Sequence, residues 1–100
     1  MSRKVIRANI RLLTTNEGGR SGILLSGYRS LLRFEGTTGD FGFELELDPQ
    51  LKTNGLAPGD SGDARLSFWA VDELPSLFLS QKFDIYEGTH LVGHGNVTKT

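Results

Sequence analysis

The chain has 100 residues, a formal net charge of -1 and no cysteine. That length suits one compact domain, and the lack of cysteine excludes a disulfide framework and every thiolate metal site. No apolar run approaches the roughly 20 residues that a membrane helix needs, and residues 1–7 do not lead into the apolar region of a secretory signal. We therefore expect a single soluble, cytoplasmic domain over residues 1–100.

Charge is unevenly distributed along the chain. Residues 1–33 hold seven basic residues and one acid, whereas residues 34–100 hold four basic residues and eleven acids. Such asymmetry is typical of a basic binding face. It also arises when basic strands pair with acidic ones, and we favour this second interpretation.

Residues 4–13 and 41–47 alternate as half-buried strands do. The first segment places its aliphatic side chains on one face and arginine and asparagine on the other, and the second opposes phenylalanine and leucine to glutamate. A period of two predicts a strand with one face in the core. Shorter patterns predict further strands at 22–25, 31–34 and 65–70, and a closing hairpin of strands 82–86 and 91–98 around residues 87–90.

Turn residues separate these strands. Loops are predicted at 14–20 and 35–40, a corner at 27–29, an irregular connection at 48–57 and a β-turn at Pro58-Gly59-Asp60. Residues 71–81 are the hardest to assign because Pro75 interrupts any helix. Residues 77–79 are the best candidate for an exposed apolar patch, although we expect them to lie in the core.

Short strands, thirteen glycines and no convincing helical segment predict an all-β domain, either an antiparallel barrel or a sandwich. A closed barrel is the more attractive form because closure removes the exposed strand edges. No internal repeat or linker divides the chain.

Several short motifs occur along the chain in a specific order and spacing, although each is common alone. They are Glu17-Gly-Gly-Arg20, Gly27-Tyr28-Arg29, Pro58-Gly59-Asp60, Pro75, Phe83-x-Ile85, Glu87-Gly88 and Val92-Gly93-x-Gly95-x-Val97. With this set the chain, from about Ile6 to Lys99, resembles the C-terminal β-barrel domain of bacterial elongation factor Tu, the third domain of that protein. The resemblance implies a six-stranded closed antiparallel Greek-key barrel.

The resemblance also implies partners. In that family the domain contacts the GTP-binding domain, the nucleotide exchange factor and the T-stem of aminoacyl-tRNA. This chain has no Gly-x-x-x-x-Gly-Lys-Ser/Thr phosphate loop, so we do not expect GTP hydrolysis.

Departures from the family pattern fall on cationic positions. Arg20 keeps the arginine of the RNA-facing motif, but several other positions that are basic or histidine in the family hold different residues here: Ser21, Ser26, Glu35, Asp63 and His90. Fewer cations mean fewer counterions released from a phosphate backbone, which is where most such affinity originates. We therefore do not expect ordinary tRNA delivery.

Two patterns suggest catalysis or metal binding. Ser61 lies in Gly-Asp-Ser-Gly, as does the nucleophile of chymotrypsin-like proteases, but both histidines follow it and the chain has room for one barrel only. His90 and His94 share one face of a strand, and Asp84 or Glu87 would have to complete a zinc site. We expect a plain turn and histidines that are solvated or hydrogen-bonded, and hence no enzyme, no metal and no cofactor.

An aromatic and cationic surface is a further candidate for binding. Tyr28, Arg29, Arg33 and Trp69 are of the types found at protein hot spots and nucleic-acid platforms. In the alternative, Tyr28 packs over the barrel end and Trp69 covers a strand edge. Together with the positions that the resemblance marks, the candidate binding residues are Arg20, Tyr28, Arg29, Arg33 and His90.

The sequence thus predicts a non-catalytic binding module, a small mimic of the third domain of the elongation factor. The expected partner is a translation-related protein: the GTPase domain, the exchange factor or a toxin that targets the factor. One competing hypothesis is an RNA-binding protein, with tRNA as its partner, that uses Arg7, Arg11, Arg20, Arg29 and Arg33 as a phosphate track. A small hydrolase is the third class, and no membrane partner is expected.

Overall fold

The computed structural model describes residues 3–49, 55–69, 72 and 74–100. Within them the chain forms the strands β1 (Lys4–Leu12), β2 (Leu24–Leu25), β3 (Tyr28–Phe34), β4 (Phe41–Leu47), β5 (Gly55–Leu56), β6 (Ser61–Phe68), β7 (Lys82–Glu87) and β8 (His90–Lys99). A 3₁₀ turn, Thr15–Glu17, follows β1. No helix in the described part of the chain has the length and apolar character that a membrane crossing requires.

Six of the strands close into an antiparallel barrel in the order β1-β6-β4-β3-β7-β8, and β8 pairs back onto β1. The strands β3, β4 and β6 are neighbours in turn and β7 returns beside β3, which is the Greek-key arrangement. The predicted fold class, an all-β, six-stranded, closed antiparallel Greek-key barrel, is therefore confirmed. The short strands β2 and β5 form a separate two-stranded sheet.

The core fills the inside of this barrel, and the alternation seen in the sequence explains how. Inward-facing side chains of β1 and β4 are at most 9% exposed: Ile6, Ala8, Ile10, Leu12, Phe41, Phe43, Leu45 and Leu47. Their neighbours along each strand face outward, as a period of two requires. Both strands thus fold as predicted.

A cluster of phenylalanines lies at the centre of the core. The ring centroid of Phe34 is 6.0 Å from those of Phe41, Phe68 and Phe83. Gly95 on β8 makes room for this packing, because a Cβ atom at that position would lie 2.4 Å from Cζ of Phe83. Glycine is required there by close approach to an aromatic ring.

Strand β3 begins earlier than predicted. Tyr28 and Arg29 pair with Leu45 and Glu44 of β4, so the strand starts at Tyr28 and the predicted corner is confined to Gly27, whose φ is 93°. Pairing with a distant strand extends β3 through residues that resemble a turn locally. This shift places Tyr28 and Arg29 on opposite faces of the barrel wall.

The closing hairpin has a tighter turn than predicted. Glu87 and His90 are paired, so only Gly88 and Thr89 connect β7 to β8, and Gly88 has a φ of 62°. Two-residue turns with positive φ match the twist of the flanking strands. The predicted strand at 22–25 is likewise shorter, and lies in the two-stranded sheet instead of the barrel.

Two connections differ from expectation. The predicted irregular segment at 48–57 contains β5, and its residues 50–54 lie outside the described residues, as does Ala70 of the predicted fifth strand. The prediction that residues 77–79 are core is wrong for Phe78 and Leu79, which are each 60% exposed. Both residues lie in the connection between β6 and β7, which are not neighbours in the barrel, and connections of this kind are commonly exposed.

Candidate functional site

Arginines on the outside of the barrel are paired with carboxylates. Six have a side-chain nitrogen within 3.6 Å of a carboxylate oxygen: Arg3 and Arg29 with Glu44, Arg11 with Glu17, Arg20 with Glu87, Arg33 with Asp40, and Arg65 with Glu46. Four of these arginines belong to the basic segment 1–33 and pair with acids of the segment 34–100. The predicted neutralisation of basic strands by acidic ones is therefore observed.

Residues from three segments meet at one end of the barrel, and we call Arg20, Tyr28, Glu87 and His90 the end cluster. The Tyr28 hydroxyl donates a 2.7 Å hydrogen bond to Oε2 of Glu87. Arg20 places Nη1 3.5 Å from the same oxygen, and its guanidinium carbon lies 5.0 Å from the centre of the Tyr28 ring. His90 donates from Nε2 to the carbonyl oxygen of Gly18. The cluster thus ties the first loop to the closing hairpin.

The loop that presents Arg20 is fixed by a capping box. The Thr14 hydroxyl accepts a 3.1 Å hydrogen bond from the Glu17 amide, and the Glu17 carboxylate accepts a 2.8 Å bond from the Thr14 amide. This backbone donor and the Arg11 guanidinium lower the pKa of Glu17. Gly18 then ends the 3₁₀ turn with a φ of 88°, where glycine is unstrained. Arg20 follows directly from this anchored turn.

Tyr28 faces inward from β3, and its ring lies edge-on to Phe43 of the core with centroids 6.2 Å apart. Burial raises the pKa of Tyr28 to about 12, and neighbouring Glu87 adds to this effect while a hydrogen bond with Ser30 opposes it. Because the folded pKa lies above the ordinary value of 10.0, the stability that neutral Tyr28 contributes is complete below that pH and is lost as pH rises through about 12.

Arg20 is held in an unusual environment for a cation. Its side chain is 21% exposed, and Nε and Nη1 are buried without a hydrogen-bond partner among the described residues. The 3.5 Å approach to Glu87 is therefore an ion-pair contact without hydrogen-bond geometry. The guanidinium depends on Glu87 and on the face of Tyr28 for compensation of its charge.

A second cluster lies on the outer wall, and we call Arg3, Arg29, Arg33, Trp69 and Tyr86 the wall cluster. The Trp69 ring has the guanidinium carbons of Arg3 and Arg29 at 4.9 Å and 5.4 Å from its centre. Both arginines also contact Glu44, at 3.6 Å and 2.9 Å. The hydrogen bond from Arg29 is the main reason that the pKa of Glu44 is lowered.

Arg33 and Tyr86 continue the wall cluster onto β7. The guanidinium carbon of Arg33 lies 5.1 Å from the centre of the Tyr86 ring, and Nε donates a 2.9 Å hydrogen bond to Asp40. This bond raises the pKa of Arg33 above its ordinary value. Distances below about 6 Å between a cation and a ring centre are within the range of cation–π attraction.

The candidate binding residues predicted from sequence therefore fall into two groups. Arg20, Tyr28 and His90 meet in the end cluster, whereas Arg29 and Arg33 belong to the wall cluster with Trp69. Sequence reasoning grouped Tyr28 with Arg29, but the two face opposite sides of β3. It did not identify Arg3, Glu44, Tyr86 and Glu87 as members of the two clusters. Their contacts follow from strand register, whereas the sequence shows only which residues are charged or aromatic.

Three residues considered above for catalysis or metal binding, His94, Asp84 and Ser61, lie on the outside of the barrel. Nδ1 of His94 lies 2.6 Å from Oδ1 of Asp84, and both residues line an open groove of about 620 Å³ together with Arg11 and Lys82. Within residues 3–49, 55–69, 72 and 74–100, no three side chains of the kinds that ligate metals come together. Ser61 is exposed at the first position of β6. The groove carries charges of both signs.

The chain matches none of the protein-family models with which it was compared. The resemblance to the third domain of elongation factor Tu consequently stays a prediction based on the ordered motifs. The closed barrel that the resemblance implied is observed independently of it.

Proposed function

We propose that the chain is a non-catalytic binding module, related to the third domain of elongation factor Tu, that engages a protein of the translation apparatus. The observation that carries the proposal is the internal neutralisation of the exterior arginines, six of which contact carboxylates of the same chain. The barrel uses its arginines for contacts within its own surface.

This arrangement disfavours a phosphate-binding role. Of the five arginines that would form a phosphate track, Arg11, Arg20, Arg29 and Arg33 are each within 3.5 Å of a carboxylate oxygen. A phosphate would have to displace that carboxylate or lie beside it. Either event removes much of the gain from counterion release that drives binding to nucleic acid.

Arginine, tyrosine and tryptophan on a rigid barrel suit a protein interface instead. These three residue types dominate interface hot spots, and the strands of a closed sheet hold them in place. The ordered motifs favour a partner that normally meets the elongation factor: its GTP-binding domain, its exchange factor or a toxin that targets it. A cytoplasmic location follows from such partners and belongs to the same proposal.

The proposal is tested by titrating the chain into the purified GTP-binding domain and, separately, into the exchange factor, with isothermal calorimetry as the measurement. We expect one of them to bind with a Kd near or below about 1 µM, which corresponds to roughly -8 kcal/mol. The isolated third domain of the factor should compete for the same partner. If both proteins bind with a Kd weaker than about 100 µM, roughly -5.5 kcal/mol, this choice of partner is contradicted.

A further inference from the structure

We propose that the wall cluster is the docking site for a protein segment that carries a carboxylate beside an apolar side chain. The inference rests on the proposed function, in which the chain acts by binding protein, and it adds the surface and the chemistry of the partner. It depends on strand register, on exposure and on a local imbalance of charge.

Strand register places the apolar members of this surface in one row. Trp69 follows Phe68, which pairs with Phe43, so its ring reaches the outer face of β4 at Gly42. A Cβ atom on Gly42 would lie 3.8 Å from the indole ring. Gly42 pairs with Leu31 of β3, and Leu31 pairs with Tyr86 of β7. The row thus crosses three neighbouring barrel strands without interruption.

The row is accessible from outside the barrel. Trp69 is 44% exposed, and Leu31 and Tyr86 are half-buried. On β3 the outward residues Arg29, Leu31 and Arg33 alternate with inward ones, so the two arginines flank the leucine along the strand. An indole that stays partly exposed while arginines lie over its ring combines two of the residue types that carry most of the binding energy at protein interfaces.

Charge at this surface selects the partner. Among the residues that the structure describes, Arg3 and Arg29 share one carboxylate, Glu44, so the pair of guanidiniums beside Trp69 keeps about one positive charge in excess. Arg33 is balanced by Asp40, and Asp84, its cross-strand partner on β7, adds a further negative charge beside Arg33. One carboxylate of a partner therefore complements the surface near the indole, and an apolar side chain complements Leu31 and Tyr86. A polyphosphate chain fits less well, because Glu44 and Asp40 would lie among its charges.

The test uses a random peptide library displayed on phage, selected on the wild-type chain and counter-selected on Trp69→Ala. We expect the enriched peptides to carry Asp or Glu next to a leucine or an aromatic residue. Synthetic versions should shift the fluorescence of Trp69, the only tryptophan in the chain. Their Kd should weaken about tenfold or more, roughly 1.4 kcal/mol, in Arg29→Ser and in Trp69→Ala.

Phe78→Ala is the matched control, because Phe78 is an aromatic residue of similar exposure outside the wall cluster, and it should leave the Kd unchanged. Peptides that are basic, or that bind Trp69→Ala as tightly as wild type, would overturn the inference, as would a single-stranded oligonucleotide that outcompetes them. If the GTP-binding domain or the exchange factor binds but is insensitive to Arg29→Ser, the wall cluster is wrong and the proposed function stands. If neither protein binds but the acidic peptides do, the proposed partner is wrong and the wall cluster stands as a docking site.

Discussion

Phe34→Ala is expected to destabilise the barrel by about 3–5 kcal/mol, the cost typical of removing a buried phenylalanine. The ring of Phe34 is fully buried and touches three other phenylalanine rings drawn from β4, β6 and β7. Its removal leaves a cavity that these strands cannot close without distorting the barrel. Since domains of this size have a total stability of roughly 5–15 kcal/mol, the variant should be close to unfolding at 25 °C.

Urea denaturation followed by circular dichroism measures this effect. Phe78→Ala serves as the control, because it deletes the same ring from a site that is 60% exposed and should cost less than about 0.5 kcal/mol. Equal losses in the two variants would show that Phe34 is not the centre of the core.

Glu87→Ala is expected to cost about 2 kcal/mol, which is large for a residue at the surface. Its carboxylate accepts the Tyr28 hydroxyl bond and compensates Arg20, whose Nε and Nη1 are buried without hydrogen-bond partners among the described residues. Removing it leaves a partly buried cation and a partly buried hydroxyl without their common acceptor, and a fully buried orphaned group costs about 1–3 kcal/mol before relaxation.

The matched control for this variant is Glu46→Ala. Glu46 makes a 2.7 Å contact with Arg65, shorter than that between Arg20 and Glu87, but the side chains of Glu46 and Arg65 are both more than half exposed. Exposed pairs contribute about 0–1 kcal/mol, so the free energy of unfolding should change little. A Glu46→Ala loss as large as that of Glu87→Ala would mean that burial does not set the value of these ion pairs.

The local pattern of apolar and polar residues was sufficient to predict the strands that alternate regularly. It did not predict the strand ends that form only by pairing with a distant strand. Residues 4–12 and 41–47 reveal their faces within their own sequence, so their burial was predictable. Tyr28 and Arg29 extend β3 only because β4 pairs with them. Phe78 and Leu79 are apolar and yet exposed, and their composition did not indicate this, because it depends on their place in a connection between two strands that are not neighbours in the barrel.

For the candidate sites too, the sequence predicted local features but not contacts between distant residues. Composition identified the arginines and aromatic residues but could not say which acid each arginine meets. Arg29 and Glu44 are 15 residues apart, and Tyr28 and Glu87 are 59 apart. Such contacts follow from barrel register, which the alternation of single strands does not determine. The separation of Tyr28 from Arg29 into different clusters likewise required the true start of β3.

These pairings connect the fold to the proposed function. Arg3, Arg20, Arg29 and Arg33 all come from the basic first third of the chain, and the fold brings each of them to an acid from the remainder. A surface that neutralises itself in this way has little long-range attraction for a polyanion. It still offers rigid aromatic and guanidinium groups to a protein at short range.

The most direct test of this account is a salt titration of the affinity for tRNA, in the wild-type chain and in Glu44→Gln, which releases Arg3 and Arg29 from their shared carboxylate. For the wild type we predict weak binding and a slope of log K against log salt no steeper than about -2, equivalent to roughly two phosphate contacts; Glu44→Gln should bind more tightly and with a steeper slope. Submicromolar binding by the wild type with a slope of about -4 or steeper, unchanged in Glu44→Gln, would contradict the claim that these arginines are engaged within the chain.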